Sequence, residues 1–414
     1  MTQPNETPKG RLKGWMQDDA VARTVRGGVL FILFLVLTLS VFFALWMWNS
    51  PQTGAEGTAT DLQRAFYTLG GGALVAALAT WALTALQDTP AEERSVWFCP
   101  LLAGGLGLAL YLLGYAFLGV YPFGGKTVLM VDMHHQYAPL LSELRDMLLH
   151  GGNASYNFNI GMGAAFIPTF AYYLASPLNI LLLFFSERYL AQAILVITLL
   201  KGAAAAASFT AMAQYLYRRR TTSMVAVGVL YALTGYMLAY SWNIMWLDVL
   251  VLLPLVVMAM EHMLTTGRII PYAATLGLAL FCNYYIGFML CVFLVLYMGV
   301  WLLRQRRTLK DVGMGCARFA AGSLWGAGMA ACVLIPTALA LGRTSAAGGE
   351  MVDFDTNFTV IDLLGRLFYG AEPTIRSGNL PNIYCGVPAV LLAPVYLTQK
   401  EIPLRRRLCY AALL

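Results

Sequence analysis

The stretch YALTGYMLAYSWNIMWLDVLVLLPLVVMAMEHML, Tyr231 to Leu264, decides the fold. It is apolar up to Tyr240, turns polar at Ser241 to Asn243, then stays apolar to its end, with Asp248 and Glu261 as its two charged residues. About 20 apolar residues cross a bilayer. The stretch therefore reads as the end of one membrane span, a tight joint, and a complete second span.

Working outward, the same reading recurs along the 414 residues, of which 59% are hydrophobic and only 12% charged. Soluble domains carry about 25% charged residues, so the composition places the chain in the lipid bilayer. Spans are expected near 29–48, 67–86, 97–119, 189–215, 222–240, 246–264, 269–284, 286–303, 319–341 and 384–399. The fold class is then all-α and polytopic, with about ten transmembrane helices. A further apolar run starts at Leu408 and reads as another span cut short at Leu414.

Charge orients this array. With the N-terminus inside, nineteen of the 27 Lys and Arg fall in inner segments and seven in outer ones, with Lys201 inside a span. Arg218, Arg219 and Arg220 form one inner cluster. This is the positive-inside asymmetry. It accounts for the net charge of +6 without nucleic acid as a partner. The first 28 residues read as a cytoplasmic tail, and the stretch from Val29 to Trp48 as a retained anchor, with no small-residue cleavage site closely after it. None of the seven cysteines forms a CxxC, which gives neither a disulfide framework nor a metal site.

Two outer loops are long enough to carry function, 121–188 and 342–383. The first contains Ala138 to Leu149, with the spacing of an amphipathic helix lying at the interface. Residues 165–185 are apolar but interrupted by Pro168 and Ser176-Pro177. Counting them as a span would put Arg218–Arg220 outside, so they read as a re-entrant piece whose backbone must be covered by protein. Gly322 and Gly326 in the ninth span form a GxxxG, a helix-packing pattern.

Candidate chemistry gathers in the first loop, in the sequence Asp132, Met133, His134, His135, Gln136, Tyr137. A carboxylate at headgroup level can take a proton from a sugar hydroxyl or orient the sugar; the same acid can also cap the helix that follows. His134 and His135 are adjacent and lack the i, i+4 spacing of a zinc pair. A divalent cation shared by Asp132 and a donor phosphate is a separate option. Lys201 at membrane depth calls for a partner, either a phosphate or Asp248. Asn243 and Asp248 mark the outer joint between the fifth and sixth spans. Asn283 and Tyr284 mark the joint between the seventh and eighth. Helix capping and interfacial anchoring explain these polar groups as readily as substrate contact does. Glu143, Arg145 and Asp146 read as the wet face of the interfacial helix.

Several blocks carry a family resemblance. VDMHHQYAPLLSELRDMLLHGGNASYNFNIGMG (131–163), YYLASPLNILLLFF (172–185), the opening stretch (231–264), FCNYYIGFMLCVFLVLY (281–297) and NLPNIYCGVPAVLLAP (379–394) occur in this order. They resemble the bacterial YfhO family of membrane proteins over roughly residues 97–399, with 29–96 as a two-helix addition and 400–414 as the start of a further part. The family is similar to the GT-C class of glycosyltransferases. That resemblance implies a GT-C-like membrane domain at 97–399 in a bacterial plasma membrane. It implies an inverting transfer at the outer face from a polyprenyl-phosphate sugar to an envelope polymer such as lipoteichoic acid, or to a glycolipid. It casts Asp132 as the catalytic or acceptor-positioning carboxylate. His134, His135, Gln136, Tyr137, Lys201, Asn243, Asp248, Asn283 and Tyr284 are then candidates for substrate binding. A transporter or flippase of a lipid-linked precursor, or a non-catalytic assembly factor, are the rival classes.

Overall fold

The computed structural model describes residues 95–344 apart from Pro122, then 359–368, 371 and 380–413, with isolated positions between 28 and 84. The expected spans at 29–48 and, for the most part, 67–86 lie outside the described residues. So do Glu350, Asp353 and Asp355 of the second outer loop.

The chain is an all-α polytopic membrane protein. Helix α1 (Phe98–Leu118) is followed by a long loop, which holds α2 (Ala138–His150) and a short hairpin of β1 (Tyr156–Asn157) and β2 (Ala164–Ala165). Next come α3 (Phe166–Leu174) and α4 (Pro177–Phe184), bent by 93° at the break between them. Then follow α5 (Leu190–Tyr217), α6 (Thr222–Ala239, interrupted after Ala232), α7 (Ile244–Thr266), α8 (Ile270–Cys282) and α9 (Tyr284–Leu303). The chain continues through α10 (Leu309–Met329), α11 (Ala331–Leu341), α12 (Val360–Gly365), α13 (Val387–Thr398) and α14 (Leu404–Ala411).

Among the described residues five helices are long and apolar enough to cross a membrane, and seven crossings result if each bent pair counts as one. The count of ten is thus reached only with segments that are short or undescribed. The physical reasons are local. Helix α8 runs for 13 residues because Pro271 fixes its first turn and Asn283 leaves helical geometry at its end. The expected ninth span begins ten residues early, at Leu309, and bends by 77° between α10 and α11. The run expected to begin at Leu408 belongs to α14, which carries Arg405, Arg406 and Arg407 and so has a strongly polar face.

Helices α5 and α7 are the most buried crossings. In lipid, apolar side chains gain little by hiding from a solvent as oily as themselves, so helices associate through close packing at small residues. Two seams show this. Between α1 and α5, a Cβ on Gly202 would lie 2.7 Å from the Tyr111 ring. Between α8 and α10, a Cβ on Gly326 would lie 3.0 Å from the Ala273 carbonyl oxygen. The GxxxG of Gly322 and Gly326 is therefore a packing face against α8. The bent pair α3–α4 falls on the interrupted apolar segment expected at 165–185, and its 93° bend suits a broken span as well as a re-entrant piece. Helix α2 buries Leu140, Leu141 and Leu144 against the bundle.

Candidate functional site

The site is built at one end of the bundle, where α1 ends and α5, α7 and α9 begin. Helix α1 closes on Gly119 in a left-handed conformation. The chain then folds back on itself, with Tyr121 N donating to Lys126 O at 2.8 Å and Lys126 N to Gly119 O at 3.0 Å. It reaches Val131, whose φ is +50°. A β-branched residue in that region is a genuine strain outlier. Strained residues of this kind persist only where the surroundings over-determine them, and they cluster at functional sites.

The next residue is Asp132. It is exposed and makes no capping hydrogen bond to the helix that follows, which removes the simple capping role. From Met133 to Tyr137 the chain forms one wide π-helical turn before α2. Such turns are rare and often mark functional sites. Met133 and Tyr137 point into the protein, while Asp132, His134, His135 and Gln136 face outward. The two imidazoles meet edge to face, Nδ1 to Nδ1 at 3.5 Å.

The inward Tyr137 connects this turn to the bundle. Its hydroxyl donates to Asn243 Oδ1 at 2.7 Å. Its ring stacks on Trp242 and meets Tyr173 of α3 at 5.5 Å. Gln136 donates to the Tyr173 hydroxyl at 3.0 Å. Burial, and after it the Asp132 charge, push the Tyr137 phenol above its ordinary range. Asp132 thus lies within electrostatic reach of both the Tyr137 and Tyr173 hydroxyls. The aromatic wall continues through Tyr172, which packs on Tyr173, Tyr284 and Tyr285. Trp242 buries its indole N–H without an acceptor among the described residues.

The remaining predicted residues stand behind this wall and support it. Lys201 and Asp248 pair with each other at 2.7 Å, and both are buried. Lys201 also donates to the Ile244 carbonyl at 2.8 Å, one residue beyond Asn243. The second Asp248 oxygen accepts from Ser176 Oγ at 2.8 Å, at the break between α3 and α4. Asn283 is fully buried. Its Oδ1 accepts from Ile286 N and caps α9, while its Nδ2 donates to the Tyr172 carbonyl. Asp248 and Asn283 therefore clasp the bent pair α3–α4 from two sides. The backbone freed by the bend is satisfied by protein, as membrane depth demands.

Two further expectations need correction. Glu143 is not simply a wet-face residue, because it accepts hydrogen bonds from Asn157 and Asn159 and ties the hairpin to α2. Arg145 likewise donates to the Phe185 carbonyl after α4. Ser176, Tyr172, Tyr173 and Val131 were not predicted for the site. Ser176 carried the one usable signal, a hydroxyl beside a proline inside an apolar run. No group of three His, Cys, Asp or Glu side chains is placed to hold a metal among the described residues. A cation on Asp132 would draw its other ligands from a phosphate and water, a common arrangement for magnesium.

Fold and site together define a polytopic membrane protein with a carboxylate and an aromatic wall at one end of the bundle. The profile described as bacterial membrane protein YfhO matches residues 105–414, and the chain belongs to that family. No curated protein and no solved structure matches it.

Proposed function

We propose that the chain is a glycosyltransferase of the outer membrane face, moving a sugar from a polyprenyl-phosphate carrier to a hydroxyl of an envelope polymer or glycolipid such as lipoteichoic acid. The observation that carries this reading is Asp132, held exposed by a strained neighbour beside the Tyr137 and Tyr173 hydroxyls. A carboxylate with free lone pairs can accept the acceptor hydroxyl's proton as the hydroxyl attacks the anomeric carbon. The bond to the carrier phosphate then breaks, and inversion follows from attack on the face opposite the leaving group. The rings of Tyr172, Tyr173 and Tyr284 suit the apolar faces of a sugar, being large, rigid and tipped with polar groups. His134, His135 and Gln136 supply hydrogen-bonding groups around the carboxylate. Lys201, Asn243, Asp248 and Asn283 act as positioning residues, since Lys201 and Asp248 bond each other, Asn243 holds Tyr137, and Asp248 and Asn283 hold the bent pair.

The buried Lys201–Asp248 pair beside a bent segment also suits transport of a lipid-linked precursor. The two readings separate in one experiment. Sugar incorporation into the envelope is compared for wild type and Asp132→Asn at matched levels of inserted protein. Removing a catalytic base is expected to lower transfer by about 10²–10⁴-fold. Equal incorporation would remove Asp132 from the mechanism, and incorporation in neither would favour transport.

A further inference from the structure

At the far end of α7 from Asn243 lies a cavity of about 1260 Å³. It lies between the start of α1, the end of α5 and the end of α7. Its apolar lining includes Trp97, Pro100, Leu255 and Met258, its rim carries Arg218 and Arg219, and its one carboxylate, Glu261, is paired with Arg304 at 2.7 Å. A basic cluster at a helix end satisfies membrane orientation wherever it stands. Orientation does not require a cavity of this size beneath the cluster, walled by apolar groups.

Two details point to what fills it. Arg218 ends α5 with φ +53°, the left-handed position usually given to glycine. An arginine there costs stability that a glycine would not, and it places a cation at the cavity rim. Arg218 and Arg219 are exposed and make no hydrogen bond or ion pair among the described residues. The second detail is Gln214, which lines the same cavity. Its Nε2 donates to the Val96 carbonyl at 2.6 Å, while its Oε1 is buried without a donor. Buried polar atoms are rarely left unpaired, and those that are call for an explanation. The cavity thus offers cations for a phosphate, an acceptor for a hydroxyl, and apolar walls for hydrocarbon.

We infer that this cavity binds an anionic phospholipid whose headgroup carries free hydroxyls, of the phosphatidylglycerol class. The phosphodiester sits on Arg218 and Arg219, a headgroup hydroxyl donates to Gln214 Oε1, and the acyl chains run along α1 and α7. Basic pockets between membrane helices bind anionic headgroups in this manner, and guanidinium–phosphate contacts are the strong, forked kind. The assignment is independent of sugar transfer.

The test uses the full chain in phosphatidylcholine nanodiscs, titrated with phosphatidylglycerol, with thermal stability as the readout. Wild type should gain stability saturably. In the double variant Arg218→Gly with Arg219→Ala, the midpoint should move up by roughly 25-fold. Arg218→Gly also relieves the left-handed strain, so the variant should fold as well as wild type in phosphatidylcholine alone. Should it not, the exposed Arg219→Gln provides the same comparison with a smaller shift. An equal response to phosphatidylglycerol in wild type and variants overturns the site. Saturable stabilisation by free glycerol phosphate at the same concentrations overturns the lipid and leaves only an anion site.

Discussion

The Lys201 ammonium lies 2.7 Å from the Asp248 carboxylate, and 1% and 7% of the two side chains are exposed. Neither charge has water to fall back on. Removing one partner of such a buried pair costs about 3–5 kcal/mol, because the other is left uncompensated, whereas replacing both with apolar residues is often neutral. Lys201→Met and Asp248→Leu should each unfold at markedly lower temperature. The double variant should recover most of the loss, apart from the share owed to Ser176 and the Ile244 carbonyl. Thermal unfolding of all three in one detergent checks this, and an additive double variant would refute a private pair.

Tyr137 donates to a buried amide, so Tyr137→Phe should cost about 1–3 kcal/mol by orphaning Asn243 Oδ1. The phenol also sets an alkaline limit. Its folded pKa is raised above the unfolded value of about 10. Its contribution to stability is therefore fully present below pH 10 and is lost as pH rises through the folded value. The phenolate absorbance of wild type minus Tyr137→Phe should develop later than that of free tyrosine.

Val131→Gly isolates the strain. Glycine removes a conformational cost of about 1–3 kcal/mol but adds backbone entropy of about 1 kcal/mol in the unfolded chain. Stability should thus hold or rise slightly. If the strained turn aims Asp132, sugar transfer should fall despite the unchanged stability. Unchanged transfer would mean the turn does not position the acid.

Gly326→Leu tests the α8–α10 seam. With a Cβ meeting the Ala273 carbonyl oxygen at 3.0 Å, the larger side chain must push the helices apart. Overpacking of this kind costs about 1–3 kcal/mol. A fall in thermal stability with normal membrane insertion is expected, and Gly328→Leu, where the added atom meets open space, serves as the control.

Apolar run length and the bias of basic residues made most of the fold legible in the sequence. They located α1, α5, α6, α7 and α9, and they marked 165–185 as an interrupted segment, where the pair α3–α4 bends by 93°. Length alone misjudged the residues from Leu309 to Leu341, where the bend at Ala330 leaves no signature in hydropathy. The candidate site was legible as a set of polar residues at the joints between apolar helices, but its division of labour was not. Asp248, Asn243 and Asn283 look alike as lone polar groups beside apolar helices. Only three-dimensional packing reveals that they grip Ser176, Tyr137 and Tyr172 from far away in sequence. Val131 is invisible to pattern reading, since backbone strain belongs to a conformation and not to a residue type.

The clasp on the bent pair also dictates an order of assembly. Ser176 meets its partner 72 residues later in the chain, and Tyr172 meets Asn283 after 111. Helices α3 and α4 leave the ribosome well before α7 and α9 exist to hold them. Until then their bent backbone has no protein to satisfy it and no business in hydrocarbon. The contacts that hold the wall beside Asp132 therefore close only after α7 and α9 have been made, so this wall is expected to be among the last parts of this region to form.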